Sequence, residues 1–478
     1  MELKVHNNLT RQKEKFTTLN PGEVKFYSCG PTTYDFLHVG NARALVVGDL
    51  FHRILRALDY KVTFVRNYTD VDDKIIQRAN ELKVDALAHA QRFVEECERD
   101  MNSLGMLPAT HTPKVSDTMP EIIQMIRDII EKGAGYVVDG EVFFHVEKAD
   151  HYGKLSKKDL EGLVHGQRVE VDPRKKHPSD FVLWKPAKAG EPSWQSPWGK
   201  GRPGWHIECS AMAKKFLGET LDLHHGGVDL MFPHHENEIA QSEAANGEKF
   251  CNCWAHNEFL NFGSEKMSKS LGNVVTIRKF IEKYSGQVLR QLLLSVHYRA
   301  KLDWTDEAIE RALQDVQRIH EFALELAQRR GSPAPADAKV QELVTKFKES
   351  FRNELANDFN SAGALGQFFS FLRDVRRDHF SSLELSDGSL ALIRDAVAFA
   401  NLALGHIHPE PAQLLKQLES FKGAGNVDEA WIQGLIEERR QAKASKDWAR
   451  ADQIRDELKA KSIVLVDNKD GSVGWKML

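Results

Sequence analysis

The chain has 478 residues, which is too many for one hydrophobic core, so two to four domains are expected. Its formal net charge of −4 gives no global basic field, so any nucleic-acid partner has to be met by local patches. Five scattered cysteines, the absence of any apolar run of about 18 residues and an N-terminus without an apolar signal core predict a cytoplasmic protein.

The first part of the chain predicts an α/β fold with a Rossmann-like parallel sheet. Residues 24–29 alternate apolar and polar side chains as a strand does, 39–60 have helical periodicity, and 61–70 return to strand character. This βαβ order builds parallel sheets. Ligands of such sheets bind beyond the carboxyl ends of the strands, so the loops after Cys29 and around Thr69 are expected to face one cleft.

Changes in composition divide the rest of the chain. A Gly-, Pro- and Trp-rich insertion is predicted within the first domain, and helices are predicted to dominate after it. The C-terminal end is expected to be one long charged helix with a short strand-like tail. The predicted domains are 1–275 with an insertion at about 115–205, a helical region at 276–330, a linker at 329–338, a helical bundle at 339–410, and a small mixed α/β domain at 424–478.

The stretch His234 to Glu238 holds two histidines and two glutamates in five positions. His234 and Glu238 are four residues apart, so on a helix they project from one face, the spacing with which helices hold zinc. A first helical turn with acidic residues and satisfied histidines is the ordinary alternative. The order differs from the HExxH motif of zinc proteases, which disfavours a hydrolase.

Zinc takes four ligands and prefers thiolate, so cysteines are the natural partners of such a pair. Cys29 closes the first predicted strand, and Cys209 lies at a predicted strand-to-helix junction, both at the mouth of the inferred cleft. Taken singly, each is more commonly a buried small apolar residue, and its position at the cleft is what favours a ligand role. Cys251 and Cys253 form a C-x-C pair, interpreted as two small residues on a strand.

Two further motifs favour nucleotide binding. In "DFLHVGNAR", His38 and Gly40 lie at the start of the first helix, where phosphate oxygens find free N–H groups. In "EKMSKSLGN", Lys266 and Lys269 lie three residues apart in a loop with serine and glycine, which suits a cationic lid over a triphosphate. A solvated charged loop is the alternative for a generic K-x-x-K, but the full K-M-S-K-S string disfavours it.

"HVGN" and "KMSKS" resemble the HIGH and KMSKS motifs of class I aminoacyl-tRNA synthetases. Within that class, "SCGPTTYD", "NYTDVDDKI", "GRPGWHIECSAM" and "DLMFPHHENEIAQSE" resemble the cysteinyl-tRNA synthetase family, and the match runs nearly end to end. The resemblance implies a monomeric ligase that activates L-cysteine with ATP and magnesium and transfers it to the 3′-terminal adenosine of tRNA(Cys). It also implies a stem-contact role for 276–330 and an anticodon-recognition role for 424–478.

The same resemblance implies roles for individual residues. One zinc ion per chain, which binds the substrate thiolate and so rejects serine, is implied to be held by Cys29, Cys209, His234 and Glu238. ATP is implied to contact His38, Gly40, Asn41 and Lys269, and the implied catalytic residues are His38, Asn41, Lys266 and Lys269. The implied cysteine pocket comprises Thr69, Trp205, His224 and Asp229, with Asp229 suited to the substrate ammonium.

Two positions depart from the family pattern. Asn41 replaces the second histidine of HIGH and carries no charge, and His225 stands where many relatives have glycine. On this resemblance, Cys209→Ser is expected to lose both zinc and cysteine activation. A chain ending near residue 330 is expected to keep adenylate formation but not tRNA charging.

Two other functions are consistent with parts of the sequence. A related ligase that joins cysteine to an amino-sugar amine without tRNA shares the catalytic part, but the residues after the linker, 339–478, favour the tRNA enzyme. A zinc-dependent hydrolase built on His234 and Glu238 leaves the KMSKS loop unexplained and lacks a suitably placed base.

Overall fold

The computed structural model describes residues 2–158, 172–262, 275–380, 385–425, 429–445, 447–460, 463–467 and 473–477. The predicted KMSKS loop, with Lys266 and Lys269, lies outside the described residues. The chain forms two compact units, Met1–Ala412 and Gln413–Leu478. Within the described ranges, no helix is both long enough and apolar enough to cross a membrane.

The first unit contains most of the described strands and helices. Its strands are β1 (Lys4–Asn7), β2 (Gln12–Lys15), β3 (Glu23–Ser28), β4 (Lys61–Arg66), β5 (Gly135–Val138), β6 (Glu141–Phe144), β7 (Phe181–Pro186), β8 (Gly201–Pro203), β9 (Leu221–Gly227), β10 (Cys251–Asn257), β11 (Leu260–Asn261) and β12 (Leu302–Asp303). Its helices are α1 (Val39–Ala57), α2 (Asp73–Leu82), α3 (Ala86–Ser103), α4 (Met119–Glu131), α5 (Ile207–Leu217), α6 (Glu236–Asn246), α7 (Ile277–Lys283), α8 (Gly286–Leu294), α9 (Asp306–Gln328), α10 (Ala338–Ala356), α11 (Ser361–Val375) and α12 (Asp387–Leu404).

The central sheet has four parallel strands in the order β10-β9-β3-β4, which confirms the predicted Rossmann-like α/β fold. The chain runs from β3 through α1 to β4 at one edge, and it later returns to β9 on the other side of β3. The strand order therefore reverses between β3 and β9. Open parallel sheets bind their ligands at such a switch point, beyond the carboxyl ends of the strands.

The segment predicted as an insertion contains α4 and a second sheet. That sheet is antiparallel in the order β5-β6-β7-β8, and its described strands lie between residues 135 and 203. Trp184 and Phe144 are completely buried in it, and they belong to the same hydrophobic core as Cys209 and Trp254. The insertion and the parallel sheet are therefore packed around one continuous apolar interior.

The predicted linker is a connection without helix or strand, but hydrogen bonds tie it to the start of α12. The Ser332 backbone N–H donates to the Leu385 carbonyl at 3.0 Å, and the Asp387 N–H donates to the Ser332 carbonyl at 2.8 Å. Gly388 donates to the Ala334 carbonyl at 3.2 Å. Residues 338–404 consequently belong to the first unit, and the linker does not separate two independent bodies.

The second unit consists of α13 (Pro411–Gly425), α14 (Glu429–Ala444), α15 (Trp448–Ala460) and an antiparallel hairpin of β13 (Ile463–Asp467) and β14 (Val473–Met477). The prediction of one long charged helix here is wrong, because α14 and α15 are separate. The Asp447 carboxylate accepts a hydrogen bond from the Arg450 N–H at 3.1 Å, which caps a new helix. Trp431 packs against the small core of this unit, whereas Trp448 is exposed.

Candidate metal centre and active site

Four side chains from distant parts of the sequence meet at the carboxyl end of the parallel sheet. One ligand atom from each lies within 4.8 Å of the ligand atoms of the other three. Cys29 follows β3 directly and Cys209 lies in the first turn of α5. His234 belongs to the helical turn Met231–His235, and Glu238 to the first turn of α6. The four predicted metal ligands are thus brought together.

Two of the distances within this group lie close to those of a tetrahedral ion, and the contact between His234 and Glu238 is shorter. The Cys29 and Cys209 Sγ atoms are 3.9 Å apart, Cys29 Sγ is 3.5 Å from Glu238 Oε1, and His234 Nε2 is 3.0 Å from Glu238 Oε1. Zinc bonds of about 2.3 Å to sulfur and about 2.0–2.2 Å to nitrogen or oxygen place tetrahedral ligands roughly 3.4–3.8 Å apart. The predicted same-face arrangement of His234 and Glu238 is confirmed.

The four candidate metal ligands include buried side chains of opposite charge. Burial by itself raises the pKa of Glu238, but the neighbouring His224 and His234 lower it to about 2. Burial likewise lowers the pKa of His234, but the Glu238 carboxylate and the Cys209 sulfur raise it to about 10. A hydrogen bond from Cys29 lowers the pKa of the Cys209 thiol to about 6. Glu238 and Cys209 are thus in the forms that bind metals. In contrast, His234 is protonated and burial raises the pKa of the Cys29 thiol, so metal binding has to release protons from these two groups.

A layer of histidines that the sequence did not single out surrounds the four candidate ligands. His206 Nδ1 is 2.9 Å from His234 Nδ1, and His235 Nδ1 is 2.8 Å from His256 Nε2. His256 Nδ1 contacts Asn8 Oδ1 at 3.1 Å. Burial lowers the pKa of His206, His235 and His256, so these rings are neutral. The only signal in the sequence was the number of histidines near the predicted cleft.

A further residue of the site that the sequence did not single out is Asn67, which follows β4. Its Oδ1 accepts a hydrogen bond from the Gly30 N–H at 2.9 Å and lies 3.8 Å from the Cys209 sulfur. Its Nδ2 donates to the Thr69 hydroxyl at 3.4 Å, and that hydroxyl donates to Glu208 at 3.2 Å. A Cβ on Gly30 would lie 1.6 Å from the Asn67 carbonyl oxygen, so only glycine fits there. Asn67 therefore links a candidate metal ligand to the predicted pocket.

The four residues predicted for the cysteine pocket lie around this floor in different environments. Thr69 is buried after β4, and Trp205, which is 42% exposed, stacks with its ring centroid 4.5 Å from that of His234. His224 is fully buried on β9, and its Nε2 is 2.8 Å from Glu238 Oε2. Asp229 is exposed in the turn after β9. Trp205 and Asp229 thus lie toward the solvent side and His224 beneath.

The residues predicted to contact ATP begin α1. The His38 side chain accepts a hydrogen bond from the Asn41 N–H at 3.2 Å, and Asn41 Oδ1 accepts one from the His38 N–H at 3.1 Å. This reciprocal pair is a capping box, which satisfies two backbone donors at the helix start. Asn41 therefore has a structural role that needs a short polar side chain and no charge. Gly40 lies between the two in the first turn.

The remaining singled-out residues pack inside the sheet. Cys251 and Cys253 are buried on β10, as the C-x-C interpretation predicted, and burial raises the pKa of both thiols. His225 is completely buried on β9, where its Nδ1 contacts the Ser28 hydroxyl at 2.9 Å and its ring packs against Phe51. Burial lowers its pKa to about 3, so this histidine is a neutral core residue.

Comparison with known proteins shows the family to which this chain belongs. Residues 15–314, more than half of the chain, match the family model described as tRNA synthetases class I (C) catalytic domain. Proteins named Cysteine–tRNA ligase from Geobacter sulfurreducens and Geotalea uraniireducens are 47% and 48% identical to this chain, each over its full length and theirs. The chain belongs to the cysteine–tRNA ligase family. It is therefore a ligase of the class I aminoacyl-tRNA synthetases.

A third relative, named Cysteine–tRNA ligase and from Halalkalibacterium halodurans, is 46% identical over all of this chain and 99% of its own. Solved structures agree on the fold. Mycobacterium tuberculosis methionyl-tRNA synthetase in complex with methionyl-adenylate matches with a TM-score of 0.60 and 17% identity, covering 82% of this chain and 93% of that one. Since the full-length relatives include the second unit, the tRNA-independent alternative is not favoured.

Proposed function

We propose that the chain activates L-cysteine with ATP to cysteinyl-adenylate, releases pyrophosphate, and transfers the cysteine to the 3′-terminal adenosine of tRNA(Cys). The observation that carries the proposal is the cluster of two thiols, an imidazole and a carboxylate at the switch point of the sheet. Two sulfurs, one nitrogen and one oxygen form a ligand set typical of zinc, and a bound zinc ion prefers a thiolate as a further ligand. The site therefore suits recognition of a thiol substrate. Family membership supports the adenylate and transfer steps.

In this proposal Cys29, Cys209, His234 and Glu238 hold one zinc ion. When bound, zinc supplies a site that prefers the substrate thiolate to the hydroxyl of serine. Cysteine and serine differ by one atom, and shape alone separates such substrates by only about 1–3 kcal/mol. Binding of the substrate thiolate to the metal would increase this free-energy difference between cysteine and serine.

The residues around the floor orient the substrate and the ligands. Asn67 and Thr69 form one wall, in which Thr69 donates a hydrogen bond to Glu208 and Asn67 lies against the Cys209 sulfur. His224 holds Glu238 from below, and we assign it a positioning role because it is fully buried. Trp205 and Asp229 lie on the solvent side, where the ring covers the pocket and the carboxylate faces the substrate ammonium.

The start of α1 is proposed to hold ATP with its magnesium. Helix N-termini attract phosphate through their free N–H groups and dipole, and the mutual cap of His38 and Asn41 fixes this terminus beside Gly40. Lys266 and Lys269 are proposed to stabilise the charge on the transferring phosphates. Positioning and electrostatics suffice for this step, and no protein general base is required. A cytoplasmic location and a monomeric state stay predictions from the sequence.

The test is ATP–pyrophosphate exchange with each of the twenty amino acids, with and without a chelator. Exchange is expected with cysteine and not with serine, and it should be lost on removal of the metal and restored by zinc. Transfer is checked by charging of tRNA(Cys) with labelled cysteine. Undiminished cysteine-dependent exchange by metal-free chain contradicts the zinc role, and exchange with another amino acid but not cysteine contradicts the substrate.

A further inference from the structure

The buried floor offers a second set of four candidate ligands that overlaps the first. The sets share one cysteine and one glutamate, and in each set the ligand atoms lie within 4.8 Å of one another. We name them by the residues they contain: the outer set is Cys29, Cys209, His234 and Glu238, and the inner set is Cys29, His224, His235 and Glu238. The inner set exchanges one thiol and one imidazole for two imidazoles.

The inner set has distances that suit a metal ion. Cys29 Sγ is 3.4 Å from His235 Nε2 and 3.5 Å from Glu238 Oε1. His235 Nε2 is 4.0 Å from Glu238 Oε1, and His224 Nε2 is 2.8 Å from Glu238 Oε2. Tetrahedral zinc needs separations of roughly 3.4–3.8 Å. The two Cys29 distances fit this range, whereas the His224 contact is shorter and is made to the other Glu238 oxygen, so His224 or Glu238 has to move for the inner set to close around an ion.

Hydrogen bonds prepare His235 as a ligand. Asn8 presents its Oδ1 to His256 Nδ1, so that nitrogen donates and His256 Nε2 accepts from His235 Nδ1. The Nε2 of His235 is then left without a proton, and it faces Cys29 Sγ. Metal-bound histidines commonly donate their other N–H to such a partner, which fixes the ring and its tautomer.

His224 is anchored through one nitrogen. Its Nε2 contacts Glu238, and among the described residues its Nδ1 has no hydrogen-bond partner. A bond from Nε2 to a metal would break no other hydrogen bond of this ring, but it requires the ring proton on Nδ1, where the described residues supply no acceptor.

We propose that the floor can hold zinc at two adjacent positions, and that loss of an outer ligand moves the metal to the inner set instead of releasing it. The inference rests on the zinc site of the proposed function and concerns where the metal lies in it. The outer His234 packs against half-exposed Trp205, whereas the inner His224 and His235 are fully buried against Trp254. Zinc in the inner set is consequently turned away from the entrance by which substrate arrives.

The same substitution, cysteine to serine, made at two different positions distinguishes metal binding by the outer set from metal binding by the inner set. Cys209→Ser removes an outer ligand only, so the full-length chain should still bind about one zinc per chain after dialysis, because the inner set stays complete. This replaces the expectation from the family resemblance that the variant loses its zinc. Cys29→Ser removes a ligand that both sets share, so it should bind none. Metal content is measured by elemental analysis, and folding by circular dichroism and thermal unfolding. In Cys209→Ser, cysteine-dependent exchange should be lost although the metal remains.

Cobalt substitution reports the ligands directly. The thiolate-to-cobalt absorbance of Cys209→Ser should be about half that of the unsubstituted chain, since one of two sulfur ligands remains. The double variant Cys209→Ser with His235→Asn should lose the metal, whereas His235→Asn alone should keep the metal and the full absorbance.

Three results would overturn the inference: a folded Cys209→Ser chain without metal, a double variant that retains metal as well as Cys209→Ser does, or loss of metal from His235→Asn alone. An unsubstituted chain that binds no zinc would instead refute the zinc site of the proposed function. A zinc-binding unsubstituted chain beside a metal-free, folded Cys209→Ser chain would refute only the inner set.

Discussion

At the scale of single residues, Asn41 shows how a departure from a family motif is accommodated. The motif leads one to expect a histidine, whose charge could assist catalysis. Here the side chain returns a hydrogen bond to His38 and completes the cap of α1. An amide oxygen does this well because a cap requires only a short acceptor.

Asn41→Ala should lower the free energy of unfolding of the first unit by about 1 kcal/mol, because one backbone donor at the helix start loses its acceptor. The measurement is the urea midpoint followed by tryptophan fluorescence. Asn41→Asp retains an acceptor in the same place and is the matched control. Equal midpoints for the alanine variant and the parent chain would show that the capping box does not stabilise the helix.

Among the elements, α1 differs most from the amphipathic helix that its periodicity predicted. Leu45, Val46, Ile54 and Leu55 are buried as expected, but Asp49 and Arg53 are buried too. The polar side is covered because Asp49 pairs with Arg290 of α8 at 2.6 Å and with Arg53 at 2.8 Å. Arg53 and Arg290 in turn donate to the carbonyls of Leu402 and Leu404 in α12.

Asp49→Asn should destabilise the first unit by about 3–5 kcal/mol, because it leaves two buried guanidinium groups without a counter-charge. Burial by itself raises the pKa of Asp49, but Arg290 and Arg53 lower it overall. A lowered pKa gives stability that is present above the unfolded value near 4 and is lost as the pH falls through the folded value. The difference between parent and variant, measured by urea unfolding, should be constant from about pH 8 to 5 and shrink below about pH 4.

Asp59→Asn is the control for that experiment. Asp59 follows α1, is exposed, and pairs with Arg352 at 3.3 Å, so the same change of charge should leave stability nearly unaltered. A comparable loss in both variants would point to net charge and against the buried ion network.

Gly366→Ala should raise the stability of α11 by about 0.5–1 kcal/mol, because Gly366 is exposed inside the helix and a Cβ there meets no other atom within 4 Å. Thermal unfolding of the full chain measures the effect. Gly363→Ala in the same helix is the contrasting variant, since its Cβ would lie 2.3 Å from the Glu354 carboxylate. Destabilisation by both changes would contradict the helical packing of this segment.

At the scale of the whole molecule, residues 338–404 complete the core of the first unit. Phe359 stacks on Phe51 of α1 with ring centroids 4.3 Å apart. The buried Asp358 bonds the Tyr298 hydroxyl at 2.7 Å and pairs with Arg299 at 2.7 Å. A cut near residue 330 would remove these partners, so the sequence-based expectation that such a chain stays active is revised.

A chain ending at residue 410, just before α13, should therefore fold and retain cysteine-dependent pyrophosphate exchange, whereas a chain ending at residue 330 should not fold stably. If residues 424–478 contact tRNA, as the family resemblance implies, the longer fragment should also lose most tRNA charging. Thermal unfolding, exchange and charging are measured side by side. Charging by the fragment at the rate of the full chain would exclude a tRNA role for the second unit.

The sequence by itself determined the parallel sheet, the order of the elements around it and the four candidate metal ligands. The sheet and the order of its elements follow from local signals, namely alternating strands and a glycine turn before a periodic helix. The set of four candidate ligands followed instead from the resemblance of long motifs to a known family. The spacing of His234 and Glu238 was sufficient to place both on one helical face.

Only the tertiary structure decided what surrounds those ligands. The inner histidines, Asn67 and the buried ion network of α1 depend on contacts between segments up to several hundred residues apart, such as Arg53 with Leu402. Local periodicity carries no information on which polar side chains find partners in the interior. Burial is favourable for them only when a distant segment supplies the opposite charge or the hydrogen-bond acceptor.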